Sequence, residues 1–134
     1  MPAALDTAEG LIELLDLLVD VKTSFPDVRA VLELVGGYVG EAQPASSAFK
    51  FGASYASAKA MLIAAQIPFT LVAPVTWQRH LCLPKRGRTS AGKTRHKKDL
   101  QEAAQALFPG RKITLKTADA ALIFHLAHQG KIAI

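Results

Sequence analysis

Apolar and polar positions alternate along the chain in periods that predict five helices and two strands. Leu11, Leu14, Leu15 and Leu18 recur at helical spacing opposite Glu9, Glu13, Asp16 and Asp20. This predicts a first helix from about Thr7 to Val21, with Asp6 as N-cap, Glu9 completing a capping box and the acids on a solvated face. A turn at Phe25-Pro26-Asp27 leads into Val28 to Val35, which reads as a buried strand closed by Gly36-Gly37. From about Ala45 to Gln66 the chain is helix-compatible, and Gly52, Ala56, Ala60 and Ala64 recur at every fourth place. Such a small-residue stripe is expected to lie close against a sheet, with Phe51, Tyr55 and Leu62 filling the space beside it and Lys59 reaching either a cleft or water.

Pro68 ends that helix, and Phe69 to Ala73 reads as a second buried strand. Strand, long helix and strand in this order predict a right-handed parallel crossover. Pro74-Val75-Thr76-Trp77 opens a short helix to about Leu81. A further helix is expected from about Lys97 to Phe108, with Leu100, Ala103, Ala104 and Leu107 inward and a stop at Phe108-Pro109-Gly110. The last helix opens at Thr117 and ends near Gln129, with Gly130 as its cap. The expected fold class is therefore α/β, with parallel strands near 28–35 and 69–73 and helices packed on the sheet.

Composition narrows this picture. A chain of 134 residues, 50% of them apolar, fits one domain with a real core, residues 1–134. No run reaches the roughly 18 uncharged apolar residues of a membrane span, and the N-terminus lacks the layout of a signal peptide. The single Cys82 cannot form an internal disulfide. A cytoplasmic protein is expected. Charge is unevenly divided: through Glu41 there are eight acidic residues against two basic ones, and beyond it three acidic against fourteen basic. Lys85, Arg86, Arg88, Lys93, Arg95, Lys97 and Lys98 crowd into fourteen positions without an acid among them. A block of this kind is either a solvated face or, being internal and flanked by a Trp-bearing segment and a helix, a basic loop at about 84–98 that folds against phosphate.

Two acids stand out. Glu33 interrupts the apolar run of the first strand, where a charge is disfavoured unless it is paired or binds a metal. It either leans into water or pairs with Arg29, or it is held at the floor of a polar cleft as a cation ligand. Asp119 lies near the start of the last helix, where it complements the helix dipole. Leu122, Ile123 and Leu126 follow it at three, four and seven residues, so it also belongs to the inward face and can meet Glu33. Gly87 to Thr94 matches the phosphate-loop pattern G-x-x-x-x-G-K-T, but Cys82 to Arg86 is not the buried strand that motif requires. A nucleotide-binding loop is therefore the weaker reading. His125 and His128 share a helix face, with no further ligand at zinc spacing.

Several segments in order resemble one family. Val-Leu-Glu-Leu-Val-Gly-Gly, Phe-Lys-Phe-Gly-Ala-Ser-Tyr, Ile-Pro-Phe-Thr-Leu-Val-Ala-Pro-Val-Thr-Trp, Leu-Phe-Pro-Gly and Ala-Asp-Ala-Ala-Leu-Ile together are similar to the phage-type RuvC-like Holliday junction resolvases. The resemblance covers most of the chain from Val28 to His125. It implies a ribonuclease H-like core, magnesium-dependent (or manganese-dependent) nicking of branched DNA in recombination and repair, and a homodimer. By position, Glu33 matches the family's strand-borne catalytic and metal-binding Glu, and Asp119 its C-terminal helix Asp. Lys93 or Lys97 falls where the family keeps a Lys near the scissile phosphate.

The sequence departs from the family at two ligand positions. The family's first catalytic Asp sits in an Asp-x-Gly motif on an N-terminal strand, and here the sequence starts at Met1-Pro2, beyond the place expected for that strand. Lys116 stands three residues before Asp119, where the family carries Asp or His. Two-metal phosphodiester hydrolysis needs carboxylates that hold both ions about 4 Å apart, so Glu33 and Asp119 alone would hold one magnesium weakly. Three functions remain: an N-terminally shortened resolvase-type endonuclease, a non-catalytic DNA-binding module on the same scaffold, and the phosphate-loop nucleotide binder. Without an N-terminal hairpin the Glu33 strand would expose an edge, and exposed edges recruit partners, which again predicts a dimer or a covered edge.

Overall fold

Thr7 starts the first helix. Its side-chain oxygen accepts a hydrogen bond from the Gly10 backbone N–H at 3.1 Å, which satisfies one of the donors a helix start leaves unpaired. Helix α1 then runs Ala8–Ser24. The cap expected at Asp6 is one residue early, and no capping box forms, because the position three beyond Thr7 is Gly10 rather than Glu or Gln. The two faces are as the periodicity requires: Leu11, Leu14, Leu15 and Leu18 are half-buried, and Glu9, Glu13, Asp16 and Asp20 are exposed.

The computed structural model describes residues 5–34, 45–84 and 86–134, and the chain divides into two compact units, Met1–Leu71 and Val72–Ile134. In the first unit a turn closed by the Val28 N–H on the Phe25 carbonyl at 2.9 Å leads into strand β1, Ala30–Glu33. Helix α2 spans Ala45–Ala64 and strand β2 spans Phe69–Val72. β1 and β2 pair as a small parallel sheet, so the architecture is α/β. β1 is shorter than the expected 28–35 because Val28 belongs to the turn; Val35, Gly36 and Gly37 lie outside the described residues. All four residues of β1 are half-buried, so this is not the strand covered on both faces that its apolar run suggested.

Leu62, Ala65 and Ile67 form the core of this unit, with Leu15, Leu18, Val28, Ala30 and Phe69 packed against them. That core decides which side of α2 turns inward. Gly52, Ala56, Ala60 and Ala64 are all exposed, so the small-residue stripe does not lie on the sheet, and Phe51 is half exposed rather than filling space beside it. A methyl group buries too little area to compete with Leu62 for the inward position. Lys59 lies with its ammonium 5.2 Å from the centre of the Tyr55 ring, a cation–π contact one turn back along the helix.

In the second unit Pro74 opens helix α3, Pro74–Gln78, at a position where a missing N–H costs nothing. A 3-10 turn, Arg79–Leu81, continues it, as expected for 74–81. Trp77 on α3 is completely buried. Helix α4 spans Ser90–Leu107 and helix α5 spans Ala118–His128. Leu100 and Ala104 of α4 and Ala118, Leu122, Ile123 and Leu126 of α5 are buried, together with Ile113 and Ile132. Leu107, expected inward, is partly exposed because it lies in the last turn. Two threonines build the start of α5: the Thr114 N–H donates to Thr117 Oγ1 at 3.0 Å, and the Thr117 N–H donates back to Thr114 Oγ1 at 3.3 Å. Gly130, at φ 75°, ends it as expected, with its N–H on the Ala127 carbonyl and the Lys131 N–H on the Leu126 carbonyl.

The start of α4 corrects the expected basic loop. The helix begins at Ser90 rather than Lys97, so Lys93, Arg95, Lys97 and Lys98 are helical, and only Arg86 and Arg88 precede it in open chain. Lys85 lies outside the described residues. Thr89 supplies the reason: its Oγ1 accepts from the Gly92 N–H at 3.0 Å and caps the helix. Arg95 then pairs with Asp99 at 2.9 Å one turn on and reaches Glu102 at 3.5 Å, which offsets part of the repulsion among the cations. Gly92 also packs its backbone on Gly87, since a Cβ at Gly92 would stand 2.7 Å from the Gly87 Cα.

Gly92→Ala is accordingly expected to lower the thermal stability of the protein. Ala is the better helix former by about 1 kcal/mol, but its methyl would meet backbone, which cannot swing aside as a side chain can. A melting temperature equal to or above that of the wild type would contradict this packing. Leu122→Ala, at a fully buried site, should cost about 2–5 kcal/mol in chemical denaturation.

Candidate functional site

The second unit brings together three groups around the first turn of α5. Asp119 is half-buried there, on the helix that carries Leu122, Ile123 and Leu126 into the core. Burial raises its carboxyl above the ordinary 3.8, while the charges of His96 and Lys97 on α4 pull it down; burial prevails. His96 is itself anchored: its Nε2 donates to the Gln78 Oε1 on α3 at 3.2 Å. Its Nδ1 is buried without a hydrogen-bond partner among the described residues. Neither His96 nor Gln78 stands out in sequence. His96 precedes Leu100 by one helical turn, and that spacing is the signal that places it inward once α4 is known to begin at Ser90.

The cations of α4 divide around its axis. Lys97 lies on the side that Asp119 senses, whereas Arg95 and Lys98 line an open groove with Ser90, Ala91 and Thr94, a space of about 400 Å³. Lys93, Arg95, Lys97 and Lys98 are all exposed, as are Arg86 and Arg88. Lys116, at the position where a ligand would be expected from the resemblance, is exposed as well. This geometry can attract an anion through the helix N-terminus and its lysines, and it sets one acid beside them.

Glu33 closes β1 in the first unit, half-buried and engaged in an interaction of its own, and Asp119 belongs to the second unit. Among the described residues no three His, Cys, Asp or Glu side chains gather as a metal site. Asp119 offers the oxygen donor that magnesium prefers, but the described residues do not assemble the carboxylate set of a two-ion centre, and no metal-borne step is derived. The phosphate-loop pattern is not built either. The element before it is the 3-10 turn Arg79–Leu81 rather than a strand, and Ser90, Ala91 and Gly92, which would have to wrap a phosphate, are already in helix α4. His125 and His128 serve other contacts: His125 stands edge-on to Phe108, and His128 is stacked on Phe124. Among the described residues no helix is long and apolar enough to cross a membrane.

The raised pKa of Asp119 has a defined consequence for stability. Between the unfolded value of 3.8 and the raised folded value, the native state holds more protons than the unfolded state, so stability falls as pH rises through that window. Above the window the cost is fully present; below 3.8 it vanishes. Asp119→Asn should therefore melt higher than the wild type at pH 7 and equally at pH 3, and a lower melting temperature at pH 7 would contradict burial as the dominant influence. Compared with family models, with curated proteins and with solved structures, the chain matches none.

Proposed function

We propose that the protein binds DNA by its phosphate backbone through the N-terminal half of α4. The observation that carries this reading is the exposure of Lys93, Arg95, Lys97 and Lys98 on two turns of one helix, directly after Arg86 and Arg88. Cations fixed on a helix present a more regular track than cations on a mobile loop, so less freedom is lost when phosphates dock. The Arg95–Asp99 pair does not oppose this. Asp99 is largely covered, but the Arg95 side chain stays 63% exposed in the pair and so remains open to a phosphate.

A second reading adds catalysis. Asp119 is within electrostatic reach of Lys97, and an acid near a lysine is what the resemblance to RuvC-like junction resolvases leads one to seek. In that reading the chain is an endonuclease with a ribonuclease H-like core that nicks branched DNA as a homodimer. The resemblance assigns magnesium or manganese ligation to Glu33 and to Asp119, and in that reading the phosphates held by α4 would place the scissile bond near Asp119.

One set of titrations tests both. If about five cations meet duplex phosphates, log affinity should fall against log salt with a slope near -4 to -5, since each contact releases about 0.9 counterion. Replacing Lys93, Arg95, Lys97 and Lys98 by Ala should flatten that slope and weaken binding to all DNA sequences alike. An unchanged slope would end the α4 reading. With magnesium and a labelled four-way junction, the endonuclease reading expects nicking by the wild type that Asp119→Asn abolishes while binding persists. Binding without nicking in both proteins would leave the non-catalytic module.

A further inference from the structure

We propose that the second unit carries, apart from the α4 cations, a stacking platform for an unpaired base of single-stranded nucleic acid, formed by Phe124 and His128 of α5. That the polymer is nucleic acid rests on the reading of α4 above; the platform itself rests on different residues. Phe124 is 63% exposed although it is a large apolar side chain on a helix whose other face is core. His128, one turn on, lies nearly parallel to it, with ring centres 6.2 Å apart and an angle of 10°. From behind, Phe108 braces the Phe124 ring at 6.3 Å and 47° and meets His125 edge-on at 6.3 Å. Aromatic pairs one turn apart support a helix only weakly. That gain does not require a phenyl ring in water, and an exposed aromatic ring is the surface on which bases stack without regard to sequence.

The surroundings supply the second half of a nucleotide site. Phe108 begins a turn that ends in the exposed Arg111 and Lys112. Gln105 holds this turn, donating from Nε2 to the carbonyls of Phe108 at 3.0 Å and Arg111 at 2.7 Å and accepting the Ile113 N–H on Oε1 at 3.1 Å. Gln101 adds a bond from its Nε2 to the Ile113 carbonyl at 3.0 Å. The brace behind Phe124 and the backbone that carries the two cations are thus held by the same side chain, so little ordering is needed on binding. From Gly110 to the end of the sequence Asp119 is the lone acid, at the opposite end of α5 from His128. Planar apolar surface on a segment whose exposed charges, Arg111, Lys112, Lys116 and Lys131, are all cationic complements a base with its phosphate, and it does not complement a basic or a purely apolar protein partner.

The test uses the full chain, a fluorescein-labelled thymidine oligonucleotide and a duplex of equal length, read by fluorescence anisotropy. Phe124→Ala should weaken oligonucleotide binding roughly tenfold, leave its salt slope unchanged and leave duplex binding intact. Replacing Arg111 and Lys112 by Ala should instead reduce the oligonucleotide salt slope by about 1.4, from about 0.7 per contact. Phe124→Trp should retain affinity, and its new emission should be quenched by the oligonucleotide, against the wild type whose sole Trp77 is buried. Unchanged oligonucleotide affinity in Phe124→Ala overturns the platform, as does an unquenched Phe124→Trp or an equal loss on duplex and oligonucleotide. Duplex binding without oligonucleotide binding also removes the platform and leaves the α4 reading standing. Loss of oligonucleotide binding in Phe124→Ala, with duplex binding unaffected in the α4 quadruple variant, sustains the platform and removes α4.

Discussion

The packing of α4 on α5 is the constraint on which the second unit depends. The two helices pack on one another, and Ala104 of α4, whose side chain is one methyl, and Leu122 of α5 are both completely buried. Each buried Leu or Ile side chain in this seam contributes about 1.5–3 kcal/mol relative to exposure. The seam sets the position of everything polar around it. His96 lies one turn before Leu100 and Asp119 one residue after the buried Ala118, so the packing that buries Leu100 and Ala118 also places these titratable groups within electrostatic reach. Trp77 and Gln78 close the same region, since Trp77 is buried and Gln78 receives the His96 Nε2–H.

Electrostatics is then arranged by the start of α4 rather than by its charges. Seven cations in fourteen residues repel one another, and their sum alone argues for an open, solvated segment. The Thr89 cap and the Arg95–Asp99 pair oppose that repulsion locally. The Gly87–Gly92 contact adds a steric condition, because two backbones approach where no side chain could intervene. Helix formation turns the cations from a cloud into fixed positions: Lys97 within electrostatic reach of Asp119, Arg95 and Lys98 lining the groove. The same conversion removes the phosphate loop that Gly87 to Thr94 spells, since the chain is already helical from Ser90 and the Gly92 N–H is taken by the Thr89 Oγ1.

Much of the fold was legible from periodicity. The two faces of α1, the inward Leu122, Ile123 and Leu126 of α5, the short helix after Pro74 and the Gly130 cap follow from spacing and from the backbone chemistry of Pro and Gly. The candidate site was legible in part. Asp119 and the cluster of cations stand out by charge, and the inward position of Asp119 follows from the apolar residues after it. His96, Gln78, Gln101 and Gln105 do not stand out, because a polar side chain declares its role only through a partner distant in sequence, eighteen residues away for His96 and twelve for Gln101.

The sequence by itself determined the order of elements, the α/β class and the separation of an acidic first part from a basic remainder. These depend on residue type and local spacing. Tertiary structure decided which face of an ambiguous helix turns inward. α2 carries apolar residues on every side, so its small-residue stripe and its Leu62 side were equally plausible until Ile67, Leu18 and Phe69 offered Leu62 more area to bury. It also decided where α4 begins, because the Thr89 cap competes with like-charge repulsion and only the close passage of Gly87 over Gly92, together with the seam against α5, settles that competition. Local pattern records what each residue can do; burial, which is shared among distant residues, selects among those possibilities.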